Sequence, residues 1–404
     1  MRIFKIISVV FCLSYVLNAS GQDQRFIDRV FSDYMVTDSV YFSCGDNYQG
    51  DHKDLFFDFY EPVNDTMVNR PLVITVFGGA FLAGNRQWVD MVAFGDSLTH
   101  YGYTVASIDY RLGYNPLSQS SIIRAAYRAG QDVNAAIRYF KANYAEYGID
   151  TTQIYLLGNS AGSIASLMSV YMEEDERPDA TYGGLVNDDL GCFNCTGDYQ
   201  SHTTEVNGLI AQWGGLDKLE YIDPFNTTPV CFIHGTDDNS VPYDYGPAYN
   251  SDLFPELYGS LYMSMRLDTL DMWHELHLFD DAPHCFYLEG DNMTMIPDSF
   301  EICMNIALDF MAQLNPWVDD PVMITQGNQP NTKIFPNPAG HEMFIETDQP
   351  LSSYRLIASD GRVILSGILE EKQTKLDMSK YPDGLYILEI SSDSGTSRHK
   401  IIHH

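Results

Sequence analysis

The sequence predicts an α/β protein, a mostly parallel sheet flanked by helices, followed by a small all-β sandwich. Two observations carry the first part. Short apolar runs alternate with segments of helical period over residues 22–318, and such alternation builds βαβ units. Several of these runs are apolar without interruption, the mark of strands buried on both faces. A third observation carries the second part. Beyond residue 330 the pattern changes to short alternating runs separated by Asp-Gly turns.

The elements follow in order. Tyr41–Ser43 and Leu55–Tyr60 read as early strands. Pro71 opens the apolar run Leu72-Val73-Ile74-Thr75-Val76-Phe77, which Gly78-Gly79 stops. Tyr103–Asp109 is the next strand. Ser121–Tyr144 has apolar residues at helical spacing, among them Ile122, Ala126, Val133, Ile137 and Phe140. Gln153–Leu157, Gly208–Gln212, Val230–His234 and His274–Phe279 read as strands, and Ser163–Tyr171 and Asp298–Leu314 as helices. Two insertions break the alternation: residues 172–206, acidic and glycine-rich, and residues 239–262, rich in Tyr, Pro and Phe. Both fall at the C-terminal ends of strands, where open α/β sheets bind ligands. Each reads either as a pocket wall or as ordinary surface loop.

The ends have their own signals. Arg2 and Lys5, an apolar stretch from Ile6 to Leu17 and the small residues Ala19-Ser20-Gly21 form a signal peptide over 1–21. The stretch is short for a membrane-spanning helix, and no later run is long enough for one. Residues 319–330 read as a linker, and 331–404 as the β-sandwich, with Asp360-Gly361 and Asp383-Gly384 as turns.

The chain has 404 residues and a formal net charge of −32. The tail 331–404 carries 8 Lys/Arg against 10 Asp/Glu, so nearly all the acidity belongs to the front unit. Such a surface repels phosphate backbones and excludes nucleic-acid binding. Six of the seven cysteines remain after signal removal, and Cys192-x-x-Cys195 reads as a local disulfide in an oxidising compartment. No spacing matches a zinc site or a cofactor motif.

The chemistry concentrates in Gly158-Asn159-Ser160-Ala161-Gly162, a G-x-S-x-G between a strand and a helix. A serine on that sharp turn is pushed out at the top of the sheet, and the small flanking residues let the turn form. The N–H of Ala161, at the helix N-terminus, is placed to meet an oxyanion. A serine needs a base and an orienting acid, which in this strand–turn–helix context follow in the order acid, then histidine. Asp238 follows the strand Val230–His234 and is the expected acid, with Asp237 as rival. His234 precedes the acid and reads as structural. His284, in the loop after His274–Phe279, is the expected base. Further oxyanion donors are expected from Gly79 and Ala80 after the early strand, with Gly78 as the alternative.

These motifs resemble the esterase/lipase branch of the α/β-hydrolases, the branch with an H-G-G-G oxyanion loop. The resemblance covers residues 53–312. In this chain Phe77 stands at the His position and Ala80 at the last glycine. Asp109-Tyr110-Arg111 looks like the branch's D-Y-R segment and implies a structural Asp–Arg pair, and Tyr258 to Asp268 looks like its penultimate helix. The tail resembles the C-terminal sorting domain of type IX secretion cargo, on Phe335-Pro336-Asn337-Pro338-Ala339, Ser359-Asp360-Gly361-Arg362-Val363, Asp383-Gly384-Leu385-Tyr386 and Lys400-Ile401-Ile402. Together the resemblances imply a secreted or surface-attached serine carboxylic ester hydrolase. It would act on a small or polymer-borne ester without metal or cofactor, with the type IX machinery as partner and neither nucleic acid nor a stable membrane span. A serine peptidase of the same fold and a non-catalytic binding protein on a hydrolase scaffold are the alternatives.

Overall fold

The computed structural model describes residues 25–185, 187–290, 293–318, 333–335, 341–347, 353–358, 363–369, 372–382, 384–392 and 395–403. The expected signal peptide, the linker, the Asp360-Gly361 turn and Asp383 lie outside the described residues.

The front unit is one eight-stranded sheet. Its strands are β1 (Tyr34–Asp46), β2 (His52–Pro62), β3 (Arg70–Val76), β4 (Thr104–Ile108), β5 (Ile149–Asn159), β6 (Gly208–Gln212), β7 (Val230–Gly235) and β8 (His274–Phe279). They lie side by side as β1-β2-β4-β3-β5-β6-β7-β8. β2 runs antiparallel to β1 and β4, and every other pairing is parallel. The five main helices are α1 (Val89–His100), α2 (Gln119–Ala142), α3 (Ala161–Tyr171), α4 (Ser260–Thr269) and α5 (Pro297–Leu314).

The central strands form because both of their faces are covered. Every residue of β3 is buried, and Leu72, Val73, Ile74 and Val76 have no exposed surface. Each such side chain contributes about 1.5–3 kcal/mol through burial. The same apolar run continues through Val105, Ala106 and Ile108 of β4 and Ile154, Leu156 and Leu157 of β5. Pairing register then lines up the strand ends. Val76 lies opposite Gly158, Asn159 opposite Gln212, Gln212 opposite Ile233, and Gly235 opposite Phe279. The loops that leave β3, β5, β7 and β8 therefore emerge along one rim.

The two insertions behave differently. Residues 239–262 fold over that rim, burying Val241, Ala248 and Leu257 in a cluster of their own that packs against Ile164 of α3. Residues 172–206 lie along α2. Arg124 donates to the Ala180 and Asp188 carbonyls, Gln131 to those of Leu190 and Cys192, and Arg138 to that of Thr196. Cys192 and Cys195 form the expected disulfide.

The implied Asp–Arg pairing occurs twice, each time with a partner from elsewhere. Asp109 meets Arg86 at 2.7 Å, and Arg111 meets the fully buried Asp132 of α2 at 2.8 Å.

In the tail, Lys333–Phe335, Glu342–Glu346 and Gln373–Asp377 form one antiparallel sheet. Ser353–Ala358, Val363–Ile368, Gly384–Ser392 and Gly395–His403 form another. Met343, Ile345, Leu356, Leu376, Leu388, Ile390 and Ile401 are buried in a single cluster. Among the described residues no helix is long and apolar enough to cross a membrane.

Candidate active site

Ser160 sits between β5 and α3 with φ 51° and ψ −121°, a conformation that non-glycine residues occupy only when their surroundings impose it. Two glycines permit it. A Cβ on Gly158 would stand 2.6 Å from the Gly162 carbonyl oxygen, and a Cβ on Gly162 would stand 2.1 Å from that of Val76. The N–H of Ser160 donates to the Gln212 carbonyl at 2.9 Å, which fixes the turn to β6. The hydroxyl-bearing residue is 7% exposed.

The three expected residues converge. His284 Nε2 lies 2.9 Å from Ser160 Oγ, and His284 Nδ1 lies 2.6 Å from Asp238 Oδ2. An ionised carboxylate only accepts, so Nδ1 carries the hydrogen and Nε2 is free to accept from the serine. The loop bearing His284 is tied to the Asp238 loop by Asp281 N–H to Thr236 Oγ1 and Asp237 N–H to the Ala282 carbonyl. Asp237, the rival acid, is exposed, and the carboxylate that meets the His284 ring is that of Asp238.

Asp238 Oδ1 accepts from the N–H groups of Ser240 and Val241, at 2.8 and 2.9 Å. Its Oδ2 has a second partner, His234, which chain order marks only as a strand-end residue. His234 Nε2 lies 3.2 Å from Oδ2 and 3.1 Å from the Val241 carbonyl, while its Nδ1 faces Ser260 Oγ at 2.7 Å. A carbonyl only accepts, so Nε2 bears the hydrogen and Ser260 closes the chain. His234 is thus a buried clamp on the acid. Chain order could not reveal this, because the contact needs the loop to fold back by four residues.

The electrostatics follow. Burial works to raise Asp238, but the contacts from His234 and His284 outweigh it and hold the carboxyl well below its usual range. For His284, burial disfavours the charged ring, whereas charge on Cys285 and the Asp238 carboxylate favour it, and the net shift is upward.

The loop after β3 holds Gly79, Ala80 and Phe81 at φ 98°, 56° and 59°. Phe77, in place of histidine, is buried and stacks on Tyr110 at 4.2 Å, and the Tyr110 hydroxyl lies 3.0 Å from both the Phe77 and Gly78 carbonyls. The N–H groups of Gly79, Ala80 and Ala161 find no acceptor among the described residues. Ala80 and Ala161 border the same cavity as Ser160.

That cavity encloses about 70 Å³ and is walled almost entirely by carbon. Its lining includes Phe81, Ile122, Ile164 and Met168 together with Val241, Tyr249, Phe254 and Leu257 of the 239–262 insertion. Behind the serine, Asn159 donates to the buried Asp90, and Tyr287 joins Gln212 at 2.9 Å. Burial pushes the Asp90 carboxyl up. Among the described residues two groups bring metal-ligand side chains within 4.8 Å of one another, Cys44 with His52 and Asp54, and Cys231 with Glu275 and His277. Neither contains a residue of the Ser160 site. The second group arises from register, since Glu275 lies opposite Cys231.

Comparison with known proteins finds similarity in two parts of the chain. Residues 57–220 match the BD-FAE family model, and residues 333–404 match the secretion system C-terminal sorting domain. "Probable isoprenylcysteine alpha-carbonyl methylesterase ICMEL1" of Arabidopsis thaliana is 26% identical over 248 residues, which is 55% of this chain and 48% of that protein. Carboxylesterase 3B of Mus musculus is 33% identical over 113 residues, 27% of this chain and 19% of that protein. The chain thus spans less than half the length of either relative. A solved structure, a truncated form of carbohydrate esterase from gut microbiota, is 19% identical with a TM-score of 0.45, over 69% of this chain and 98% of that one. Along this chain, then, residues 57–220 are similar to the BD-FAE family and residues 333–404 to the secretion system C-terminal sorting domain.

Proposed function

We propose that this protein is an exported serine carboxylic ester hydrolase that works through an acyl-enzyme on a small or polymer-borne ester. The observation that carries the reading is the unbroken relay from Ser160 Oγ through both ring nitrogens of His284 to Asp238. His284 takes the Ser160 proton as Oγ attacks the ester carbonyl. The carbonyl oxygen gains negative charge and meets the N–H groups of Ala161 and of Gly79 and Ala80. One such donor is typically worth on the order of 10²–10³ in rate. The imidazolium, stabilised by Asp238, returns its proton to the departing alcohol. Water then repeats the sequence against the acyl-enzyme and releases the acid. Every proton moves between groups of this chain and the reactants.

We assign this catalytic unit to residues 22–318 and export to the 331–404 module, across the 319–330 linker. The sorting-domain match supports passage through the type IX machinery to the surface or the medium after loss of residues 1–21. Cavity size supports a short acyl or alcohol group at Ser160. At about 10–15 Å³ for each water-sized group, 70 Å³ holds about five to seven heavy atoms. The test is a p-nitrophenyl ester series from acetate to dodecanoate. kcat/KM is expected to peak at or below hexanoate, and Ser160→Ala to lose at least about 10⁴-fold. Equal turnover by Ser160→Ala would end the reading.

A further inference from the structure

The cavity at Ser160 contains one carboxylate. Among the side chains that border it, Asp217 is the single acidic group, on a wall otherwise made of Phe81, Ile122, Leu216, Leu257 and their like. It follows the Gly215–Leu216 bridge, which pairs with Tyr258 and Gly259 at the end of the 239–262 insertion. A carboxylate in such surroundings is costly to bury unless its oxygens find donors. The groups acting on Asp217 are Lys218 and Tyr221, together with its own N–H, and burial still pushes its carboxyl up. Among the described residues no lysine or arginine lies within ion-pair distance of it. An ionised carboxylate offers about four acceptor positions, so acceptor capacity remains toward the cavity.

Resting on the ester hydrolase reading, we propose that Asp217 is a specificity-determining residue that accepts a hydrogen bond from a neutral hydroxyl on the part of the ester that enters this cavity. Two arguments select a hydroxyl. An ammonium group would have to be stripped of water among carbon walls, at far greater cost than a hydroxyl, and the charge of Lys218 already acts on Asp217 from the same loop. An anionic group would meet the carboxylate head-on. A hydroxyl brings one donor, suffers little desolvation and fills an open acceptor position. A largely apolar wall with one charged group also discriminates more sharply than a wholly apolar one, because the wrong substrate leaves that group unpaired.

The experiment compares matched esters with the full chain. On the acyl side the pair is p-nitrophenyl hexanoate and 6-hydroxyhexanoate, and on the alcohol side butyl acetate and 4-hydroxybutyl acetate. The wild type is expected to favour the hydroxylated member of at least one pair by about tenfold or more in kcat/KM. Asp217→Leu is expected to erase that ratio. Asp217→Asn keeps an acceptor without the charge and is expected to retain a reduced ratio, and it supplies the answer if the leucine variant does not fold. A ratio near one in the wild type, or one unchanged by either substitution, overturns the proposal. So does a stronger preference for 6-aminohexanoate, which would make Asp217 an ion-pair partner. These results are separable from failure of the enzymatic reading: absence of hexanoate turnover, or turnover surviving Ser160→Ala, sinks the latter, whereas Ser160-dependent hexanoate turnover with an indifferent ratio sinks only Asp217's role.

Discussion

Gly162→Ala should damage both the fold and the reaction, and the structure gives the size. The added methyl carbon would stand 2.1 Å from the Val76 carbonyl oxygen and 2.5 Å from that of Phe77. Ordinary contact begins at 3.4 Å, so α3 must retreat from β3 by about 1.3 Å. Both obstructing atoms are backbone, at and just beyond the end of the fully buried β3, so side-chain rotation relieves nothing. Overpacking of this kind costs about 1–3 kcal/mol, which for a unit of this size lowers Tm by about 2–10 °C. The retreat carries Ser160 and the Ala161 N–H away from the loop at 77–80. Misplacement by about 1 Å costs on the order of 10² in rate. Differential scanning calorimetry and kcat/KM for p-nitrophenyl butyrate measure the two effects. A variant with unchanged Tm and a rate within threefold of wild type would refute the packing argument at the turn.

Other consequences follow from named contacts. Asp238→Asn should lower kcat by about 10³–10⁴, because the wrong tautomer of His284 is then stabilised. The base must be neutral to accept the serine proton, and Asp238 favours its charged form. The rise of kcat/KM with pH should therefore lie above the ordinary histidine value of about 6.5 and move toward lower pH in Asp238→Asn; a limb at or below 6.5 in the wild type contradicts the reading. His234→Phe removes one donor to Asp238 Oδ2 and leaves Ser260 without its ring partner. It should cost about 1–3 kcal/mol in urea unfolding and lower kcat with KM little changed. Arg111→Met strands Asp132, which has no exposed surface, and should destabilise by about 3–5 kcal/mol; a loss under 1 kcal/mol would mean the pair is not load-sharing with the core.

The sheet was legible where burial is two-sided. Gly208–Gln212 has the bounds that its apolar run suggests, and β3 differs by one or two residues at each end; the half-buried edge strand His274–Phe279 also has the expected bounds, though its sequence is mixed. β1 was read short because most of it is exposed or half-exposed edge, so no apolar alternation marks its ends. α1 escaped notice altogether. Its buried positions include Asp90, Gly95 and Thr99 beside Met91, Phe94 and Leu98, so the helical stripe is broken, and Trp88 supplies no side-chain cap. The triad residues were readable because motif, strand context and chain order converge on them. The clamp by His234, the Tyr110 brace on the oxyanion loop and the carboxylate of Asp217 at the cavity were not. Each depends on which loops meet in space, and local period carries no trace of that.

The central claim is that Ser160 is a nucleophile activated by its neighbours, and covalent labelling tests it most directly. A fluorophosphonate incubated with the native chain should modify one serine, found by tandem mass spectrometry in the peptide containing Gly158-Asn159-Ser160-Ala161-Gly162. The label should be absent from Ser160→Ala and strongly slowed in Asp238→Asn. Labelling of a different residue, or equal labelling of the urea-unfolded chain, would contradict the account.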